Sequence, residues 1–149
     1  DGATLYRPIL VGGYHGRWAS DGQLAGLTVS RRDLASVGVG LGAGVVLPVR
    51  PGECPLDVTA KILSYLAGES ARRCGPCRNG LPALAEAFSA VALGRGSSDA
   101  VAHLTHLVAG RGACAHPDGT ARLADSALAV FGDEIAAHAS GRCLVRRAS

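Results

Sequence analysis

Near residue 55 the spacing of apolar residues changes period, so this chain has to build two kinds of structure side by side. Before that point the apolar runs are short and closed by turn formers. Ile9-Leu10-Val11 stops at Gly12-Gly13, and Val45-Val46-Leu47-Pro48-Val49 follows Gly44, a pattern that predicts short strands. Between them Ser30 can cap a brief helix over Arg31-Arg32-Asp33-Leu34, because Gly38, Gly40, Gly42 and Gly44 at alternate positions deny it length. After residue 55 the spacing becomes helical. Asp57 is a candidate N-cap for a helix carrying Ile62, Leu63 and Leu66 to Gly68, and a second helix is expected over 79–93 with Leu81, Leu84, Phe88 and Val91 on one side. A third begins among Ser97-Ser98-Asp99 and ends at Gly110, and a fourth spans 120–138 through Leu123, Leu128, Phe131 and Ile135. The fold class expected is α+β, a strand-bearing segment followed by a four-helix bundle.

Several function classes fall away on composition. At 149 residues the chain can bury a real core, and with 4% aromatic residues that core must be mostly Ala, Leu and Val. No apolar run approaches the roughly 18 residues of a membrane span, and no charged and apolar leader opens the chain. Lys61 is the only lysine among 15 basic residues, which are scattered without interleaved aromatics, and the net charge is +3. That is not the basic, stacking groove of a nucleic-acid binder. Five cysteines at uneven spacing suit a metal or redox role in the cytosol better than a disulfide framework. The absence of Met, with Asp1 in first place, reads as a fragment of a longer polypeptide.

The chemistry concentrates in Glu69-Ser70-Ala71-Arg72-Arg73-Cys74-Gly75-Pro76-Cys77-Arg78-Asn79-Gly80, between the first two expected helices. Two thiols in a tight C-x2-C turn can face one metal centre, and neighbouring arginines and a helix N-terminus favour the thiolate. Cys114, before the fourth helix, is a candidate third ligand, and His116 beside it either ligates or satisfies loop carbonyls ahead of Pro117. Cys-Gly-Pro-Cys alone suggests thioredoxin-like dithiol exchange, but that motif follows an apolar strand, whereas here a capped helix and Arg72-Arg73 precede it. A Cys3His zinc site from Cys74, Cys77, Cys114 and His116 is chemically complete, and an iron–sulfur cluster is the other metal reading.

The stretch from Glu69 to Gly80 resembles the cluster-binding motif E-S-C-G-x-C-x-P-C-R-x-G of the NADH-binding flavoprotein subunit of respiratory complex I and of related NAD-dependent hydrogenase and formate dehydrogenase subunits. Glu69, Ser70, Cys74, Pro76, Cys77, Arg78 and Gly80 fall in register, and Cys114 takes the place of that family's fourth cysteine. Ala71 stands where the first cysteine belongs, and Arg72-Arg73 replaces the usual Gly-Lys. Leu41-Gly42-Ala43-Gly44-Val45-Val46 is similar to the family's L-G-S-G-x-V segment, and Pro8-Ile9-Leu10-Val11-Gly12-Gly13 to the last half of its soluble-ligand-binding β-grasp domain. Residues 137–143 resemble the point where some relatives continue into a ferredoxin-like extension.

The resemblance implies a partial β-grasp segment over 1–51, an iron–sulfur-binding helical domain over 52–142 and a tail over 143–149. It implies a [4Fe–4S] cluster on Cys74, Cys77 and Cys114, or a [3Fe–4S] form given Ala71, with Arg72, Arg73 and Arg78 raising its potential. It implies single-electron relay from a flavin, with FMN and NAD bound only in a missing N-terminal domain, so that the fragment is not catalytic alone. The partners implied are other subunits or domains of an NADH-oxidising complex, with cytoplasmic placement, peripheral to the inner membrane through those partners. The reading from another class is a divergent structural or interaction domain whose cluster site has decayed or holds zinc. Elsewhere, Cys54 reads as structural filler, Cys143 as a free thiol near a frayed end, and His103 and His106 as solvated helix positions. Gly12-Gly13-Tyr14-His15-Gly16 lacks the ending of a phosphate loop and reads as a β-turn, with Tyr14, His15 and Trp18 forming a binding surface or a face covered by an absent domain.

Overall fold

The computed structural model describes residues 8–145. Strands β1 (Ile9–Val11), β2 (Arg17–Ala19) and β3 (Val46–Pro48) form an antiparallel sheet in the order β2-β1-β3. Leu10 is the register partner of Trp18 on one side and Leu47 on the other. Because side chains alternate along a strand, Leu10 and Trp18 enter the helical core while Val11 and Ala19 face the other way, onto Leu34 and Val39. Helices α1 (Asp21–Leu24) and α2 (Arg31–Ser36) join β2 to β3. Ser30 caps α2 as its sequence predicts, its hydroxyl accepting the Asp33 N–H at 3.0 Å.

The helical part comprises α3 (Pro55–Gly68), a π-helical turn (Pro76–Gly80), α4 (Leu81–Ala92), α5 (Ser98–Val108), α6 (His116–Val130) and α7 (Gly132–Ala139). Each helix turns its apolar face inward, and Leu56, Leu63, Leu84, Phe88, Val101 and Leu123 are wholly buried. The α+β reading stands, with three differences in the helices. Cys54, not Asp57, is the N-cap of α3, since Pro55 can occupy the first helical position without needing an N–H, and Asp57 sits in the first turn. The second helix is entered through the π-helical turn. The fourth begins earlier than expected, at His116, and is broken at Phe131. Phe131 (φ −106°, ψ 24°) ends α6 and starts α7, with its ring edge-on to Trp18 at 5.2 Å.

The sheet is fastened to α6. The Trp18 N–H donates to Ser126 Oγ at 3.0 Å, and the indole is only 3% exposed, so Trp18 is core and not the surface residue that its glycine-rich surroundings predict. His15 lies across Gly119, where a Cβ would stand 2.6 Å from the imidazole Cγ, so only glycine allows this approach. Tyr14 stays outside, its ring 5.7 Å from that of Tyr65.

Candidate metal centre

After α3 ends, residues 69–75 form a loop in which Arg72 (φ 53°) is the only non-glycine residue with positive φ among those described. That left-handed conformation lets the chain reverse into the π-helical turn, where the Arg78 N–H donates to Cys74 O at 2.9 Å and Ser70 Oγ to Cys77 O at 3.2 Å. The turn buries Cys77 and leaves Cys74 half-buried, while Cys114 is exposed in the loop between α5 and α6. Backbone N–H groups of Ala113 and Cys77 hold the Cys74 thiol below its ordinary range. Burial, followed by the neighbouring sulfurs of Cys74 and Cys114, pushes Cys77 up, and the Arg72 N–H works against that rise. The two loops therefore bring Cys74, Cys77 and the Ala113-Cys114 segment onto one face.

His116, the other residue considered for that face, is engaged elsewhere. Its Nε2 donates to Leu66 O at 2.9 Å, which leaves Nδ1 to accept from His15 Nε2 at 3.1 Å. Both ring nitrogens are thus committed to joining α6, α3 and the β1–β2 loop. His103 and His106 are exposed on α5.

A second group of ligand-type side chains escaped the sequence reading. Cys54, Glu134, His138 and Cys143 place one donor atom each within 4.8 Å of all the others, the only such group found among the described residues. Cys54 is a buried core residue and Cys143 a free thiol, as the sequence predicts, and what the sequence does not show is that both lie against Glu134 and His138. Cys54 Sγ lies 3.4 Å from His138 Nε2, and Cys143 Sγ donates to Glu134 Oε1 at 3.0 Å. Burial pushes the Cys54 thiol up to about 12, against the effect of the Asp57 and Leu56 N–H groups. Cys74, Cys77, Cys114 and His116 do not gather to the same spacing. The sequence signal was the run Glu134-x3-His138-x4-Cys143, one helical turn followed by a short reach.

Residues 57–138 match the family described as the NADH-ubiquinone oxidoreductase-F iron-sulfur binding region, a span that holds Cys74, Cys77 and Cys114. The chain belongs to this family. An F-type chain of the NADH-quinone oxidoreductase of Rhizobium meliloti (strain 1021) is 26% identical over 139 residues, covering 91% of this chain and 33% of its own length. The chain therefore spans about a third of the curated relative it matches. Membership in a 4Fe–4S binding region supports an electron-transfer role. No helix among the described residues is long and apolar enough to cross a membrane. Within this iron–sulfur binding region, Arg72 has a left-handed backbone at the place where the resembled motif has glycine, the residue that adopts that conformation most readily.

Proposed function

We propose that this chain is the electron-relay segment of an NADH-oxidising enzyme, carrying an iron–sulfur cluster on Cys74, Cys77 and Cys114. The observation that carries the reading is the convergence of these thiols from two loops onto a face supplied with backbone N–H donors from Arg72, Cys77 and Ala113. Thiolate sulfurs accepting N–H bonds are the donor set such a cluster requires. When bound, a [4Fe–4S] cluster accepts and releases one electron at a time. Cys74, Cys77 and Cys114 hold it, and Ala71 supplies no ligand, leaving the fourth position to water or to a [3Fe–4S] form. Arg72, Arg73 and Arg78 adjoin the two thiols in the sequence, and positive charge near a cluster would favour its reduced state. Flavin and nucleotide binding, the acceptor and the partner subunits belong to the rest of a longer polypeptide or complex. Cytoplasmic placement, peripheral to the inner membrane, completes this reading.

The test is Cys74→Ser in anaerobically prepared protein. The expected result is loss of visible iron–sulfur absorbance with the helical circular dichroism retained. Unchanged absorbance would refute the ligand assignment.

A further inference from the structure

We propose that Cys54, Glu134, His138 and Cys143 form a tetrahedral zinc site, separate from the cluster thiols, that closes the end of the helical domain. The four donors come from three places in the chain: the N-cap of α3, one face of α7, and the segment leaving α7. Cys54 Sγ is 3.4 Å from His138 Nε2 and 3.8 Å from Glu134 Oε1, while Oε1 is 3.1 Å from His138 Nε2 and 3.0 Å from Cys143 Sγ. Zinc bonds of about 2.3 Å to sulfur and about 2.0–2.2 Å to nitrogen and oxygen give tetrahedral edges of about 3.4–3.8 Å. Two of these spacings lie within that range, the two to Glu134 Oε1 from His138 and Cys143 are shorter and would have to open by a few tenths of an ångström, and the Cys143 sulfur lies within 4.8 Å of the remaining two donors.

Two further features distinguish this group from a chance meeting of polar residues. His138 Nδ1 donates to the Ala92 carbonyl, an acceptor only, so the Nε2 that faces the group is the nitrogen left free to ligate. Gly94 makes that contact possible, because a Cβ there would collide with His138 O. Glu134 is 4% exposed, and its Oε1 lies 3.1 Å from His138 Nε2, a pair that is ionic only when that nitrogen carries a proton. The carboxylate also accepts from the Leu144 N–H at 3.2 Å on each oxygen and from the Cys143 thiol, which draws the chain after α7 onto the group, and a divalent cation would offset two of the three negative charges of the ionised acids. Binding releases a proton from each thiol, and from His138 Nε2 where it carries one, and the resulting four-ligand site carries one net negative charge, with Asp57 and Arg142 both lining the adjoining depression. Four protein donors leave no open position, which makes the site structural.

Its consequence is mechanical. Zinc here would tie the start of α3, immediately after the sheet segment, to α7 and to the chain beyond it, fixing the direction in which the polypeptide leaves the domain.

The experiment is a Co2+ titration of the full chain carrying Cys74→Ser, which takes away one of the three competing thiols, Cys77 and Cys114 remaining. The expected result is saturation at about one equivalent, with intense tetrahedral d–d bands and sulfur-to-cobalt charge transfer, reversed by Zn2+. Adding Cys143→Ser should roughly halve the charge-transfer intensity, since one of two thiolates is gone. Glu134→Gln, which preserves volume, should weaken binding at least about tenfold. Three outcomes overturn the proposal: folded protein that takes up no Co2+, a cobalt signature unchanged by Cys143→Ser but lost with Cys114→Ser, or a Cys54–Cys143 disulfide in the native chain.

Discussion

The two cysteine groups of this domain are opposites. Cys74, Cys77 and Cys114 announce themselves by spacing, yet they lie on an open face with Cys114 exposed and the loop around them held in a left-handed turn at Arg72. Cys54 and Cys143 carry no motif, yet they meet Glu134 and His138 in a compact, largely buried cluster. The first group is organised by local chain geometry and the second by helix packing. Loops tuned to a cluster have to leave room for it, whereas residues gathered by tertiary contacts can close to the spacing of a single ion.

Substitutions that affect one group and spare the other break or sharpen this contrast. The largest effect expected is reciprocal metal loss. Cys74→Ser should eliminate iron and sulfide while leaving zinc, and Cys143→Ser should eliminate zinc while leaving iron, both read by elemental analysis of the same preparations. Next comes Gly94→Ala. A Cβ at φ 71° would collide with the His138 backbone, so α7 must move away from α4, at a cost of about 2–4 kcal/mol in urea unfolding. Zinc retention should fall in that variant with no change in cluster absorbance.

Smaller effects test the loop and the sheet. Arg72→Gly should stabilise the domain by about 1 kcal/mol, because glycine adopts the left-handed backbone without the penalty borne by a side chain. A stability loss would mean that the arginine side chain holds the loop. At the sheet, burial first, then His116 and Arg122, lower the pKa of His15 from its ordinary 6.5. The folded state therefore prefers neutral His15. Its contribution is present above about pH 6.5 and is lost as pH falls toward the depressed folded value, where the unfolded chain binds the proton more readily. The thermal midpoint should drop on acidification from about pH 7.5 to about 5.5, by a smaller amount in His15→Asn.

How far the sequence could be read follows the same division. Strand edges at Gly12 and Gly44, the Ser30 cap and the thiol motif depend on neighbours a few residues apart, and each was legible. The break at Phe131 was not, because Leu123, Leu128, Phe131 and Ile135 continue a single helical phase. It is the packing of Phe131 against Trp18, from the sheet, that accompanies the change of direction. Beyond their spacing, nothing in the sequence singles out Glu134 and His138, which meet the Ala92 carbonyl and Cys54 only through the packing of α7. Trp18 reads as exposed for the converse reason, since glycine-rich flanks do not reveal that α6 covers it.

The proposed cluster on Cys74, Cys77 and Cys114 and the proposed zinc ion at Cys54, Glu134, His138 and Cys143 can be read from a single preparation. Iron, acid-labile sulfide and zinc should be measured in one anaerobic preparation, with electron paramagnetic resonance before and after dithionite. The expected result is about three to four irons with matching sulfide, a cluster signal, and about one zinc. Zinc without iron or sulfide, lost on Cys114→Ser, would contradict it and leave a domain of this family stripped of electron transfer.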